Sequence, residues 1–307
     1  MKTLTVVRPG MLTTVQDLGR WGHQHLGVPV AGPMDWYAHR LANRLVGNPD
    51  EAAALEVTLM GPELLASGGI VCAVTGADFE LTCDDRSAPM NASFVLRKGE
   101  RLRFRARRAG ARATLAVGGG IDAETVLGSR STSLISRMGP FGGRALIAGD
   151  VLGIGETGHV ERRPPHTLPL PHGGTRLRVL LGPHDARFGE EALRAFASSR
   201  YAVTQESNRM GYRLNGAVLA LTNATEMLSD ATPIGSLQVP PSGLPILLMA
   251  DRQTTGGYPK IATVITADLP LAGQLAPGDW IEFLPCSRSA AAEALRSRMS
   301  ALNGAAR

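Results

Sequence analysis

The sequence predicts a mainly β protein with a few helices, organised as two β-rich lobes. Gly (36 residues) and Pro (20 residues) are abundant in the 307-residue chain, whereas aromatic residues account for only 5%. This composition suits short strands joined by turns better than long helices. A pattern of Gly, an acidic residue, any residue and an aliphatic residue occurs at Gly99–Leu102, Gly149–Leu152 and Gly278–Ile281. Each occurrence predicts a turn that leads into a strand, so both halves of the chain contribute β structure.

The N-terminal half is expected to contain several strands and one helix. Short apolar runs bounded by turn residues predict strands, and these runs are Leu4–Val7, Leu55–Leu59, Ile70–Thr75, Ala92–Leu96, Arg101–Ala106 and Thr114–Val117. A helix is predicted from Asp35 to Val46, because Pro33 and Asp35 suit a helix entry and Gly47 follows the last apolar position.

A Pro-rich segment separates the two predicted lobes. Residues 161–175 contain four prolines, two histidines and two glycines, which suit an extended linker. The predicted organisation is an N-terminal lobe over residues 1–160, this linker, a C-terminal lobe over residues 176–287 and a helical tail over residues 288–307. Beyond the linker, the predicted elements are strands at Arg178–Leu181, Tyr201–Thr204, Val218–Leu221 and Pro245–Ala250, and helices at Gly189–Ser199 and Ser289–Leu302.

Positive charge is concentrated in one segment of the N-terminal lobe. The formal net charge is +5, and Arg97–Arg112 contains seven Arg and one Lys. Within it, Arg101–Arg107 alternates cationic and apolar residues, which predicts a strand with one solvated, edge-protecting face. Contact with an acidic partner subunit stays open as an alternative. Nucleic-acid binding is not expected, because Phe104 is the lone aromatic residue near these cations.

The sequence favours a cytoplasmic protein without a membrane segment or a metal. Three cysteines, none in a Cys-x-x-Cys pair, suggest a reducing compartment. Met1–Arg8 lacks the apolar core of a signal peptide, and no apolar run approaches the roughly 20 residues of a membrane helix. His23 and His25 have no acidic or Cys companion at a telling spacing, so no metal is predicted.

Four polar, glycine-rich segments carry the candidate chemistry: Thr13–Gly22, Ser129–Gly143, Ser207–Leu214 and Asp251–Pro259. Arg matches a planar carboxylate, and Asn or Gln matches an amide. These residue types suit a small polar ligand with an amide or a carboxylate group, and Arg137, Arg209 or Arg252 would bind the carboxylate. For each segment, a tight turn with only local hydrogen bonds stays open as an alternative. The residues predicted to be catalytic are Asp17 and Asp251, and those predicted to bind substrate are Gln16, Arg137, Ser207, Asn208, Arg209, Tyr212, Gln253, Thr254, Thr255, Gly256, Gly257 and Tyr258.

These segments, in order along the chain, resemble the allophanate hydrolase subunit 2 family. That family is also called the biotin-dependent carboxyltransferase family or the 5-oxoprolinase C-subunit family. The resemblance rests on motifs that span roughly residues 5–285, among them Pro9-Gly10-x2-Thr13-Thr14-Val15-Gln16-Asp17-x-Gly19-Arg20-x-Gly22, Leu127-Gly128-Ser129-Arg130-Ser131-Thr132, Ser207-Asn208-Arg209-Met210-Gly211-Tyr212-Arg213-Leu214, Gly235-x-x-Gln238-Val239-Pro240-Pro241 and Gln253-Thr254-Thr255-Gly256-Gly257-Tyr258-Pro259.

The resemblance implies a cyclophilin-like β-barrel and a role inside a complex. The expected partners are a subunit 1-type (B-type) homologue and a third 5-oxoprolinase component. The expected reaction is ATP-dependent opening of the 5-oxoproline lactam to glutamate, with ATP used through the complex. One alternative is transfer of a carboxyl group from carboxybiotin to urea or a similar amide. The chain has no Met-Lys-Met biotinylation segment, so another protein would carry the biotin. A second alternative is a regulatory partner of a subunit 1-type kinase inhibitor.

Overall fold

The chain folds into two compact units that are both built mainly from strands. The computed structural model describes residues 2–156, 166–222 and 227–304. The predicted fold class, mainly β with two β-rich lobes, is confirmed. Unit 1 comprises Met1–Trp21, Ala31–Leu170 and Ala301–Arg307, and unit 2 comprises Gly22–Val30 and Pro171–Ser300. The division after Leu170 falls in the predicted linker, of which residues 161–165 lie outside the described residues. The exact lobe boundaries stay a prediction.

Unit 1 contains one large antiparallel sheet. Among its described residues ten strands join this sheet, in the order β2-β3-β8-β4-β1-β10-β9, and β5 pairs with β6, β7 and β8. The strands are β1 Thr3–Arg8, β2 Leu12–Gln16, β3 Ala54–Thr58, β4 Glu63–Ala66, β5 Ile70–Cys83, β6 Arg86–Ala88, β7 Ser93–Leu96, β8 Arg101–Val117, β9 Ile121–Asp122 and β10 Val151–Ile154.

The alternating segment of unit 1 folds as the sequence predicts up to Phe104, whereas Ala106, predicted on the apolar face, is exposed. Leu102 and Phe104 are buried in the core of the sheet, whereas Arg101 and Arg103 point to the other face. Both arginines form ion pairs with the buried carboxylate of Glu63, at 3.0 and 3.2 Å. The predicted solvated cationic face is therefore supported by ion pairing within the sheet. The strands predicted at Arg101–Ala106 and Thr114–Val117 are one continuous strand, β8.

Helix α1 (Trp36–Leu45) packs one face against the sheet of unit 1. Its N-cap is Asp35, whose Oδ1 accepts a hydrogen bond from the backbone N–H of Ala38 at 2.8 Å. This contact satisfies one of the free N–H groups at the helix start. Leu41 and Leu45 are buried with the strand residues Ala73 and Ala116. The predicted helix is confirmed, and it is followed in unit 1 by a single turn, α2 (Pro140–Gly143).

Unit 2 is a closed barrel. Among its described residues the strand order is β11-β18-β15-β16-β13-β12-β19, and parallel pairing of β19 with β11 closes it. At the closure, a Cβ on Gly174 would meet the Trp280 ring at 2.4 Å, so only glycine fits. The strands are β11 Gly174–Leu181, β12 Arg200–Val203, β13 Gly211–Asn215, β14 Asp230–Ala231, β15 Ser236–Gln238, β16 Ile246–Leu248, β17 Thr255–Gly256, β18 Lys260–Val264 and β19 Trp280–Pro285.

Short helices connect the strands of unit 2, and this barrel confirms the architecture that the resemblance implies. The strand predicted at Val218–Leu221 is wrong: Leu221 forms one isolated bridge with Phe188, and Val218 is 63% exposed. The helices that begin in this unit are α3 Glu190–Ser198, α4 Leu269–Gly273 and α5 Arg288–Leu302, and single 3-10 turns lie at Gln24–Leu26, Asp185–Arg187 and Thr266–Asp268.

Candidate functional site

A buried ion pair anchors the loop Asp251–Pro259 in unit 2. Nε and Nη2 of Arg209 donate to the two carboxylate oxygens of Asp251 at 3.0 and 2.9 Å. The side chains are 4% and 2% exposed. The backbone N–H of Asp251 also donates to the carbonyl of Arg209 at 2.9 Å. Such a two-bond pair fixes geometry as well as charge. It joins two of the predicted segments, and a catalytic role for Asp251 would require the carboxylate to leave Arg209.

Arg252 is directed into the protein. Its Nε donates to the carbonyl of Thr232 at 2.7 Å. Burial lowers its pKa to about 10, and the neighbouring charge of Asp251 opposes that shift. Nearby, the buried Lys260 ammonium donates to the carboxylate of Asp230 and to the carbonyl of Ala231. These contacts hold strand β14, which pairs with β17 in the loop.

Two glutamines meet beneath the loop. Nε2 of Gln253 donates to Oε1 of Gln238 at 3.1 Å. Gln238 is 1% exposed, and its Nε2 has no hydrogen-bond partner among the described residues. A Cβ on Gly256 would lie 2.6 Å from that nitrogen and 3.2 Å from Nε2 of Gln253. The glycine therefore lets the two amides pack against the loop backbone, and a methyl group there would push the amide ends aside.

A small pocket of about 170 Å³ opens onto this pair of amides. A water occupies about 30 Å³ in the liquid, so the pocket has the volume of about six waters and suits a small ligand. Three predicted substrate-binding residues line it, namely Asn208, Gln253 and Tyr258. Three further polar residues, Glu206, Arg213 and Gln238, also line it and were not predicted as site residues. The arginine at this pocket is therefore Arg213, and neither Arg209 nor Arg252 lines it.

The remaining predicted residues of unit 2 support the walls of the site. Ser207 Oγ accepts from the N–H of Arg213 at 3.1 Å and shapes the turn before β13. Tyr212 is 1% exposed, and its hydroxyl lies 3.5 Å from the carbonyl of Leu275. The carbonyl of Thr254 accepts from the N–H of Thr232 at 3.0 Å. Thr255 is in β17, and Gly257 lines a second groove.

The second groove is larger and mostly apolar. Its volume is about 670 Å³. Val218, Leu219 and Pro240 are among its lining residues, and Tyr258 lines it as well as the small pocket. Tyr258 is 45% exposed. This side chain is therefore placed to contact ligands in both spaces.

In unit 1, Asp17 connects two of the predicted segments. Its Oδ1 accepts from the hydroxyls of Ser129 and Ser131, each at 2.6 Å, and from the N–H of Gly19 at 2.9 Å. Its Oδ2 accepts from the N–H of Arg130 at 2.6 Å. A carboxylate with this many donors is held in one orientation. The geometry indicates that Asp17 joins the loops, whereas a role as a base would require it to give up some of these contacts.

Gln16 is equally enclosed by unit 1. It is 0% exposed. Its Nε2 donates to Oγ1 of Thr14 and to the carbonyl of Thr132, both at 3.0 Å, and its Oε1 accepts from the N–H of Gly32 at 3.2 Å. Both ends of its amide are therefore used within the protein. Substrate binding by Gln16 would have to displace one of these groups.

Two arginines of unit 1 differ in exposure. Arg20 is buried, and it donates to the carbonyls of Val126 and Ser131 at 2.8 and 2.9 Å. Its Nη1 has no partner among the described residues. Burial lowers its pKa, and the charge of Asp17 opposes that shift. Arg137, predicted to bind substrate, is exposed on a turn with φ of 50°.

Within the described part of the chain, no group of three or more His, Cys, Asp or Glu side chains is arranged to hold a metal ion. No helix there is long and apolar enough to cross a membrane.

Two of the unpredicted pocket residues, Gln238 and Arg213, lie in segments that the sequence analysis had already identified. Gln238 lies in the motif Gly235-x-x-Gln238-Val239-Pro240-Pro241, and Arg213 lies in the segment Ser207–Leu214. Both segments carry the family resemblance. Their pocket-facing positions depend on strands β15 and β13, each of which pairs with β16.

Comparison with curated proteins finds relatives along almost the whole chain. The chain is 41% identical over 297 residues to the C subunit of 5-oxoprolinase from Escherichia coli K12, covering 96% of this chain and 94% of the relative. It is 34% identical over 325 residues to urea amidolyase of Lachancea kluyveri, covering 97% of this chain but only 18% of that protein. Of these two relatives, the chain spans nearly the whole 5-oxoprolinase component but only a small part of the urea amidolyase.

Solved structures share the fold. The structure of TTHA0988 superposes with a TM-score of 0.83 at 42% identity, and this chain covers 56% of it. The K. lactis urea amidolyase superposes with a TM-score of 0.91 at 33% identity, and this chain covers 20% of it. A family model described as carboxyltransferase domain, subdomain A and B, matches residues 26–285. The C subunit of E. coli 5-oxoprolinase is thus a relative along almost the whole chain. The family predicted from the sequence motifs is confirmed: the chain belongs to the carboxyltransferase subdomain A and B family.

Proposed function

We propose that the chain is the C-type subunit of an ATP-dependent 5-oxoprolinase, acting on 5-oxo-L-proline together with a B-type homologue and a third component. The observation that carries this proposal is 41% identity to a 5-oxoprolinase C subunit across 96% of this chain and 94% of the relative. The urea amidolyase relative, by contrast, extends far beyond the matched region.

The small pocket of unit 2 suits such a substrate. Opening a lactam adds water to the carbonyl carbon, breaks the C–N bond and leaves the amine and carboxylate of glutamate. The substrate itself is a five-membered amide ring with one carboxylate, and the pocket presents carboxamides and Arg213. Neutral amide groups bind a neutral amide without the cost of burying an unpaired charge. The chain would therefore bind and orient the lactam.

The described pocket does not fit a nucleotide. Its volume is about 170 Å³, and the sequence has no Gly-x4-Gly-Lys-Ser/Thr loop. In our proposal, ATP is used through the complex, and no role in its chemistry is assigned to residues of this chain.

Co-expression with the B-type homologue and the third component tests the proposal. We expect glutamate to form from 5-oxo-L-proline only when all three components and ATP are present. Each pairwise combination serves as a control. A complete complex that forms no glutamate under these conditions would rule the proposal out.

A second function, carboxyl transfer to urea or a similar amide, is supported by the family description and the urea amidolyase relatives. The apolar groove that shares Tyr258 with the small pocket has room for a ring carried on another protein. The chemistry supplied in that case would be a carboxyl group held on biotin. Carboxylation of urea by the chain with free carboxybiotin, in the absence of ATP, would favour this function over lactam opening.

A further inference from the structure

The hydrogen bond between Gln238 and Gln253 leaves one donor and one acceptor unused. It employs Nε2 of Gln253 and Oε1 of Gln238. The amide nitrogen of Gln238 and the amide oxygen of Gln253 then have no hydrogen-bond partner among the described residues. Rotating both amides by 180° exchanges the roles of the two residues and leaves the same pattern. The two glutamines, called here the amide pair, therefore always offer one NH₂ group and one carbonyl group.

This pattern complements a cis amide. A lactam ring holds its N–H and C=O on the same side, so the two groups reach outward side by side. The lactam oxygen can accept from Nε2 of Gln238 while the lactam N–H donates to Oε1 of Gln253. A lactone presents a ring oxygen where the lactam has N–H, which would set an acceptor against an acceptor. A site built to hydrogen-bond one group discriminates strongly against an analogue that lacks it.

Burial makes the unused nitrogen a ligand-binding group. Gln238 is 1% exposed. A buried donor without a partner is unfavourable, because it has lost its contacts with water and gained none in the protein. The Gln238 side chain lines the pocket, and a ligand that turns its enclosed amide toward the pocket would supply the partner. Gly256 keeps the pair in place, since a Cβ there would displace the Gln238 nitrogen.

The guanidinium group of Arg213 provides a cation at the same pocket. Arg213 lines it with a side chain that is 58% exposed, and its Nε lies 3.5 Å from a carboxylate oxygen of Glu206. Glu206 is 78% exposed, so this ion pair is weak and screened by water. The guanidinium can therefore exchange Glu206 for a carboxylate on a ligand. Amide pair and Arg213 together match a molecule that carries a lactam and a carboxylate.

We propose that Gln238 and Gln253 bind the lactam amide of the substrate and that Arg213 binds its carboxylate. This assignment rests on the proposed function for the identity of the substrate. It assigns substrate recognition to residues of unit 2 alone. Gln238 and Gln253 determine specificity for amides, and Arg213 determines specificity for acids.

Ligand titrations on the full chain test the assignment without the other components of the complex. The probes are 5-oxo-L-proline, 2-pyrrolidinone, which lacks the carboxylate, and 5-oxotetrahydrofuran-2-carboxylate, which has a lactone in place of the lactam. Binding is followed by NMR shifts of the glutamine side-chain NH₂ groups. We expect the lactone to bind at least tenfold more weakly than 5-oxo-L-proline. Equal affinity for the lactone and the lactam would overturn the role of the amide pair.

Variants separate the two parts of the site. Arg213→Gln should weaken 5-oxo-L-proline about tenfold and leave 2-pyrrolidinone unchanged, whereas Gln238→Met should weaken both. Arg176→Gln is the matched control, because Arg176 is a similarly exposed arginine of unit 2 that pairs with Glu282 at 2.7 Å. An Arg213→Gln variant that loses both ligands equally, or neither, would overturn the role of Arg213.

Glutamate formation by the complete complex distinguishes this inference from the proposed function. If the chain binds the three probes in the expected order but the complex makes no glutamate, the function fails and the lactam site stands. If the complex is active while Gln238→Met and Arg213→Gln leave the KM for 5-oxo-L-proline unchanged, the function stands and the assignment of these residues fails.

Discussion

Two buried glutamines, Gln16 in unit 1 and Gln238 in unit 2, show how the same residue serves two purposes. Both are at most 1% exposed. Gln16 uses both ends of its amide on Thr14, Thr132 and Gly32. Gln238 uses only its oxygen, on Gln253, and its enclosed nitrogen has no partner among the described residues, while its side chain lines a pocket. The first glutamine is part of the structure, whereas the second has bonding capacity left for a ligand.

The carboxylates near these glutamines do not differ in the same way. Asp17 is surrounded by four donors from its own unit, and Asp251 accepts two bonds from Arg209. Both are therefore committed to holding loops. The comparison teaches that burial of a polar residue does not identify a binding site. An unused donor does not identify one by itself either, because Nη1 of the buried Arg20 is also unpaired, and Gln238 differs in that its side chain lines a pocket.

The largest expected effect comes from breaking the anchor beneath the loop of unit 2. Asp251→Asn leaves the guanidinium of Arg209 buried beside a neutral amide, and we expect the free energy of unfolding of unit 2 to fall by about 3–5 kcal/mol. Urea unfolding followed by tryptophan fluorescence measures it in a Trp21→Phe, Trp36→Phe background, in which Trp280 is the remaining tryptophan. Glu206→Gln removes an exposed ion pair and should change that free energy by less than about 1 kcal/mol. Equal effects of the two substitutions would contradict the anchoring role.

The stability of unit 1 should depend on pH through the buried His39, which interacts electrostatically with Asp17. Burial lowers the pKa of His39 to about 4, and the charge of Asp17, the carbonyl of Ala52 and the charge of Asp50 oppose that shift, whereas Arg40 adds to it. Between pH 6.5 and pH 4 the unfolded chain therefore binds a proton that the folded chain does not. Stability from this group is complete above pH 6.5 and decreases as the pH falls, by up to about 3 kcal/mol at pH 4.

His39→Gln should remove that part of the acid sensitivity. The measurement is the free energy of unfolding of unit 1 at pH 7 and pH 5, followed by urea. His166→Gln is the control, because the His166 side chain is at an exposed position of the same unit. If the wild type and His39→Gln lose the same stability between these two pH values, His39 is not the group that titrates.

The two glutamines can be compared directly by the same substitution. Gln16→Met removes an amide that three groups depend on, and we expect a loss of about 2 kcal/mol or more in the free energy of unfolding. Gln238→Met has similar volume and removes one hydrogen bond, the one donated by Gln253, together with a nitrogen that was already unpaired, so the loss should stay within about 1 kcal/mol. Thermal unfolding of both variants provides the comparison. A larger loss for Gln238→Met would mean that its amide is structural after all.

The smallest effect is expected from a methyl group at the edge of the amide pair. Gly256→Ala would place a Cβ 2.6 Å from Nε2 of Gln238, whereas the nearest atom to a Cβ at Gly257 is 3.6 Å away. Gly256→Ala should therefore weaken binding of 2-pyrrolidinone several-fold, equivalent to about 1 kcal/mol. Gly257→Ala should bind normally. NMR titration with 2-pyrrolidinone measures the affinity of each variant. Similar affinities for the two variants would show that the amide pair tolerates displacement.

Local rules predicted the elements that depend on neighbours in sequence. The helix after Asp35 is an example, because its cap is formed by a residue three positions away. The strand predictions were wrong where pairing with a strand distant in sequence decides the structure. Val218–Leu221 has the composition of a strand but borders a groove, and β8 continues through the arginine-rich stretch because β5 pairs with it beyond three register shifts.

The candidate site was only partly predictable for the same reason. The sequence identified the segments around Arg209 and Gln253, including the pocket residues Asn208 and Tyr258. The sequence could not show that Arg213 lines the pocket and Arg209 does not. That difference arises because Arg209 pairs with Asp251 in the interior. Nor could the sequence show that Gln238 has an unused nitrogen, since that depends on Gln253 in a different loop.

The closure of the barrel in unit 2 has a consequence for the order of folding during synthesis. Strand β11 begins the barrel at Gly174, and its parallel partner β19 begins at Trp280. The ribosome therefore completes nearly all of unit 2 before the first strand meets its last neighbour. Until then β11 has one open edge, and the contact that closes the barrel is far apart in sequence, which slows folding. Unit 2 is expected to become protease-resistant only after β19 has left the ribosomal tunnel.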